Sequence, residues 1–138
     1  MEEQFSRTGL LLGEEALLRL QQSRVAVFGI GGVGGYTVEA LARAGVGTID
    51  VIDSDTVSIS NLNRQLLATY DTVGMLKVEA AKARILSINP RAAVYTHRSF
   101  IHRKRRINWI LHNMIISLMP SIPSPASCAS FSELWRLG

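Results

Sequence analysis

The stretch RVAVFGIGGVGGYTVEALARAGVGTIDVIDSD, residues 24–55, limits what this chain can fold into more than any other. A compact β-branched and aromatic run stops on glycine, as a buried strand does. More glycines follow, and apolar residues then recur at helical spacing until Gly45 ends the pattern after Ala44. TIDVIDSD reads as a second strand, KVEAAKARILSINP as a helix closed before Pro90, and AAVYT as the start of a third strand. Alternating strands and helices predict an α/β fold, a Rossmann-like doubly wound parallel sheet, here truncated after about the third strand. Upstream, LGEEALLRLQQS has leucines at helical spacing, acids early and Arg19 late, which predicts a short amphipathic helix over about 13–22. No internal repeat is visible.

Within this frame Gly29-x-Gly31-x-x-Gly34 follows a strand and opens a helix, the context that gives the motif meaning. Glycines let the backbone turn tightly and approach phosphates, and a helix N-terminus presents free N–H groups and positive potential. Asp53 ends the next strand, where a carboxylate can accept hydrogen bonds from ribose hydroxyls. These features point to a nucleotide, and at this stage a nicotinamide or flavin dehydrogenase fits as well as an ATP enzyme. A glycine turn that only packs helix on sheet would share the pattern.

The next loop separates these readings. DSDTVSISNLNRQLLAT directly follows the second strand and places Asp53, Asp55, Asn61 and Arg64 close to the phosphate end of the pocket as candidate nucleotide-binding residues, and Lys77 follows in GMLKVE. Hydride transfer needs no phosphate-neutralising Arg and Lys here. Attack at the α-phosphate of ATP does, because charge develops on the phosphoryl oxygens and fixed donors must meet it. Losing one such donor typically costs about 3–4 kcal/mol of transition-state stabilisation.

FGIGGVGGYTVEALARAGVG, DSDTVSISNLNRQ and GMLKVEAAK together resemble the ThiF/MoeB/HesA superfamily, which includes the ubiquitin-activating enzymes. The resemblance covers residues 5 to about 96. It implies an ATP-dependent, Mg²⁺-assisted enzyme that adenylates a carboxylate. FSRTGLLLGEEALLRLQQSRVAVFGIGGVGG with NLNRQLLAT is most similar to the branch that cyclises the threonylcarbamoyl group on tRNA adenosine with loss of water. Sulfur-carrier adenylyltransferases are the nearest alternative, and a NAD- or FAD-binding module the more distant one. The resemblance assigns Gly29, Gly31, Gly32 and Gly34 to the nucleotide loop, Asp53 to the ribose, and Asn61, Arg64 and Lys77 to the phosphates. It makes Arg7 an arginine donated to the partner's active site in a homodimer, and tRNA or a sulfur-relay protein the partner. Each has a plainer alternative: Arg7 and Lys77 as solvated charges, Asp55 as a brace for its loop.

Composition changes at about position 97. Residues 1–96 hold nine Lys/Arg against ten Asp/Glu, whereas residues 97–138 hold six against Glu133 alone. The overall charge of +4 therefore gives no footprint for nucleic acid across the domain. INWILHNMIISLM is too short and polar for a membrane-spanning helix, which needs about 20 apolar residues. A single cysteine, Cys128, excludes a disulfide framework and a multi-cysteine zinc site, and the acidic start MEEQFSRTG is unlike a signal peptide, so a cytoplasmic protein is expected. The superfamily next requires a strand like YDYVVDAIDT, whose aspartate helps hold Mg²⁺, and the chain as written lacks it. The genetic code supplies a reason. Read from the third nucleotide of each preceding codon, Met114-Ile115 forces Asp and Met119-Pro120 forces Ala, and NMIISLMPSIPSPAS becomes compatible with YDYIIDAIDTISGK. The expectation is thus an N-terminal ThiF-type portion over 1–96 and an out-of-frame tail over 97–138, in a copy that binds ATP weakly and does not turn over.

Overall fold

The computed structural model describes residues 3–99. Its centre is a three-stranded parallel sheet, β1 (Arg24–Phe28), β2 (Thr48–Ile52) and β3 (Ala93–His97), in the order β1-β2-β3. Four α-helices accompany it: α1 (Ser6–Leu12), α2 (Glu14–Gln22), α3 (Gly34–Ala44) and α4 (Lys77–Ile88). The doubly wound α/β expectation holds, and the strand and helix limits lie close to those read from the sequence. α1 is the exception. SRTGLLL has a glycine near its centre and consecutive leucines, so it shows no 3.6-residue spacing, yet it forms a helix that packs on α2. The expected boundary at 96/97 falls at the end of β3, and residues 100–138 lie outside the described ones.

Strand alternation sends Val25, Val27, Ile49, Val51 and Val94 to one face of the sheet. There they join Val38 and Ala42 of α3 and Val78, Ala81 and Ile85 of α4 in one apolar cluster. α3 stops because Gly45 adopts φ 88° and Val46 N–H reaches back to the Leu41 carbonyl at 3.2 Å. Phe5 packs over Gly45, where an added Cβ would sit 3.2 Å from the ring. Gly47 lets the C-terminus of α2 approach, since a Cβ there would lie 1.7 Å from the Gln21 carbonyl oxygen. These contacts tie the N-terminal helices to the edge of the α3–β2 unit.

The other face of the sheet carries charge. Asp50, fully buried in β2, accepts from Arg24 Nε at 2.7 Å and Nη2 at 2.9 Å, and His97 Nε2 lies 2.9 Å from its Oδ1. The Arg24 guanidinium also stacks over the Tyr95 ring at 5.1 Å. Burial pushes the Asp50 carboxyl up, but hydrogen bonds and charge from Arg24 and His97 pull harder, and it sits below the ordinary carboxylate range. Nothing in the sequence pattern distinguishes Asp50 from a half-exposed strand residue. Among the described residues no helix is long and apolar enough to cross a membrane.

Candidate functional site

The glycine turn sits at the carboxyl end of β1. Gly29 has φ 82°, a conformation that suits glycine, and its N–H donates to Ile52 O at 2.9 Å, closing the turn against the end of β2. α3 then begins without a side-chain cap, and the amides from Gly31 to Gly34 make no backbone hydrogen bond among the described residues. Such orphan donors with the positive end of a helix dipole form an anion-binding geometry. The glycines in the turn differ in purpose. A Cβ on Gly34 would lie 1.8 Å from the Gly29 carbonyl oxygen, so that glycine is required for the helix to meet the strand end. A Cβ on Gly31 would meet no heavy atom within 4 Å, so it borders open space.

Asp53 follows β2 and reaches across to the turn. Its Oδ2 accepts the Ile30 amide at 2.6 Å, and its Oδ1 accepts the Asp55 amide at 2.8 Å. Both oxygens are thereby fixed in place, and each keeps a lone pair for a further donor. Asp55 is a brace in the structure: its carboxylate accepts from Lys77 Nζ at 3.0 Å. Lys77, the first residue of α4, is a buried side chain rather than a solvated one.

The SNLNRQ segment forms a 3-10 turn over Ile59–Asn61. Ser58 and Asn61 make a reciprocal capping box, with Asn61 Oδ1 accepting the Ser58 amide at 3.0 Å. The carboxamide oxygen is engaged, so Asn61 offers its NH₂ group outward with no acceptor among the described residues. Arg64 is fixed by its own loop, Nη1 donating to Ser60 O at 2.9 Å and Asn63 Oδ1 at 3.0 Å. Its backbone carbonyl would lie 3.9 Å from a Cβ on Gly32, which lays this segment against the glycine turn. Leu66 and Leu67 seal the contact over Gly35.

Ten residues were singled out from the sequence: Arg7, Gly29, Gly31, Gly32, Gly34, Asp53, Asp55, Asn61, Arg64 and Lys77. All but Arg7 are joined by these contacts at one end of the sheet. Arg7 is exposed on α1, which packs on α2 and on the turn Glu3–Phe5. Sequence reasoning missed Ser58, although Ser-x-x-Asn has capping-box spacing, and missed the use of the Ile30 amide, which no side-chain pattern reports. Among the described residues no group of three or more His, Cys, Asp or Glu is placed to hold a metal ion.

A crossover-linked parallel sheet, an uncapped helix behind a glycine turn, and a polar loop docked on that turn define a Rossmann-like α/β domain with its site at the carboxyl ends of the strands. The chain belongs to the ThiF family, which it matches over residues 5–121. It is 52% identical over 100 residues to a tRNA threonylcarbamoyladenosine dehydratase of Bacillus subtilis, covering 72% of this chain and 39% of that one. It is 48% identical over 82 residues to the molybdopterin-synthase adenylyltransferase of Escherichia coli, covering 59% of this chain and 32% of that one. The Escherichia coli tRNA N6-threonylcarbamoyladenosine dehydratase, solved in complex with ATP, superposes with a TM-score of 0.77 at 38% identity over 81% of this chain and 46% of its own. This chain thus spans less than half the length of these relatives.

Proposed function

We propose that this chain carries the ATP-binding portion of an adenylate-forming enzyme that dehydrates threonylcarbamoyladenosine in tRNA, a cytoplasmic reaction. The observation that carries the reading is the linkage of Asp53 to the glycine-turn amide on one side and, through Asp55, to the buried Lys77 on the other. That chain runs from a ribose acceptor to a phosphate cation. The donor set fits ATP: free amides at the start of α3, an Asn61 NH₂ group, a guanidinium held by its own loop and an ammonium. Every one of these groups donates, which suits phosphate oxygens. Bound ATP supplies the activation of a carboxylate as its AMP anhydride, with pyrophosphate as leaving group. The chain's own residues orient the sugar at Asp53, hold the phosphates against the α3 amides, and place Asn61, Arg64 and Lys77 where negative charge grows.

The test is titration of the chain with ATP and with NAD. ATP should bind and NAD should bind more weakly; preference for NAD, or no nucleotide binding, overturns the reading. A sulfur-carrier adenylyltransferase is the second reading, favoured by the similarity to the molybdopterin-synthase enzyme. Turnover of modified tRNA against adenylation of a carrier protein, measured on a frame-restored chain, separates them.

Two further elements belong to the proposal. Arg7 serves a partner's site in a homodimer, supported by the apolar surface of its own helix: on α1 Leu10 and Leu11 are each 86% exposed and Leu12 is more than half exposed, as is Leu18 on α2. Mg²⁺ accompanies ATP, and the aspartate to hold it lies in the alternative frame of residues 113–120. The family match runs to residue 121, past the 96/97 boundary, so nucleotide sequence is the deciding measurement. Sequencing the gene across this region should reveal a single-nucleotide slip relative to intact relatives. An uninterrupted frame shared with them would end that part of the account.

A further inference from the structure

Lys77 and Asp55 are unequal partners. The Lys77 side chain is 10% exposed and that of Asp55 is 58% exposed, with Nζ 3.0 Å from Oδ2. An ion pair with one partner in water adds little stability. Its geometry is nonetheless heavily fixed. The Asp55 amide donates to Asp53 Oδ1 at 2.8 Å, and the Asp55 carbonyl accepts the Lys77 amide at 3.0 Å. Thr56 and Leu76 form an antiparallel bridge, and Val57 N–H donates to Met75 O at 2.8 Å. The strip 55–57 is therefore laced onto 74–77, with the ammonium at its end.

From this lacing we infer that Asp55 is a positioning residue for Lys77: it acts on the phosphates through the ammonium and does not itself touch the nucleotide. The inference rests on the ATP-site reading above. A lysine carries a long, freely rotating stem, and fixing it beforehand reduces the ordering that binding must impose. Its ammonium has three donors, so one stays on Asp55 while two face phosphate oxygens. The chain Ile30 amide–Asp53–Asp55–Lys77 then joins the sugar end of the pocket to its phosphate end through continuous hydrogen bonds.

A double-mutant cycle read by calorimetric titration of the full chain with ATP and with adenosine tests this. Lys77→Ala should weaken ATP about thirtyfold, as loss of a charge-assisted contact does, and leave adenosine unchanged. Asp55→Ala should weaken ATP about tenfold with adenosine unchanged, and Asp55→Asn, which keeps an acceptor and the backbone ties, about threefold. The double variant Asp55→Ala/Lys77→Ala should bind ATP as Lys77→Ala does, within about twofold, because Asp55 has nothing left to position. Tighter or unchanged ATP binding by both Asp55 variants overturns the inference. So does a loss that adds fully to that of Lys77→Ala, or one that adenosine shares. If Lys77→Ala changes neither ligand, the site reading itself fails, and that result is distinct from a failure confined to Asp55.

Discussion

Asn61→Asp should leave the chain folded while reducing its affinity for ATP at least a hundredfold. Aspartate caps a turn as well as asparagine, and its carboxylate can accept the Ser58 amide that Asn61 Oδ1 now accepts at 3.0 Å. What changes is the outward atom, from an NH₂ donor to an anionic oxygen, which on the proposed reading faces phosphate. Two unit charges about 4 Å apart repel by roughly 4 kcal/mol at an effective dielectric near 20. Arg64 and Lys77 offset part of that. Asn61→Ala should behave in the opposite order: it loses the cap, about 1 kcal/mol of stability, but introduces no repulsion, so ATP weakens only about tenfold. Thermal unfolding and nucleotide titration on the two variants check the crossing. Equal effects of the two on ATP would mean that the carboxamide does not face phosphate.

Gly34→Ala should cost about 3 kcal/mol or more, which lowers the unfolding midpoint by roughly 10–20 °C. The new Cβ would lie 1.8 Å from the Gly29 carbonyl oxygen and 2.9 Å from its carbon, and backbone cannot step aside as a side chain can. The whole start of α3 must move, carrying the free amides with it. Gly31→Ala provides the contrast, because its Cβ meets no heavy atom within 4 Å. That variant should melt as the parent does and yet bind ATP at least tenfold more weakly, since on the proposed reading the methyl group takes space meant for phosphate. A Gly34→Ala protein with an unchanged midpoint would show that helix and strand are not in the contact described.

The sheet and its two flanking helices were legible because burial on one face repeats with the periods of strand and helix, as Val25, Val27, Ile49 and Val51 against Val38 and Ala42 show. The candidate site was legible as a list of residues for a different reason: glycines and polar side chains clustered where strands end have few structural uses. What the list did not reveal was pairing. Nothing in DSDTVSISNLNRQ states that Asn61 turns its oxygen inward to Ser58, or that Asp55 faces Lys77 from twenty-two residues away. Those partners are set by the three-dimensional course of the loop. α1 stayed hidden because its helicity comes from packing on α2 and not from its own spacing. The Arg24–Asp50–His97 cluster stayed hidden because its members come from three strands, far apart in sequence.

That cluster has an effect on folding accuracy. Neighbouring side chains on a strand face opposite ways, so sliding β2 by a single position would invert Asp50. Its carboxylate would then be driven in among Val27, Val38 and Ile85, stripped of the Arg24 guanidinium and the His97 ring that now satisfy it. A stranded charge in hydrocarbon is among the most costly errors a chain can make. Apolar strands of near-uniform character tolerate misalignment; one aspartate that is satisfied in a single arrangement rejects every neighbouring one, and so acts as a built-in proofreader for the sheet.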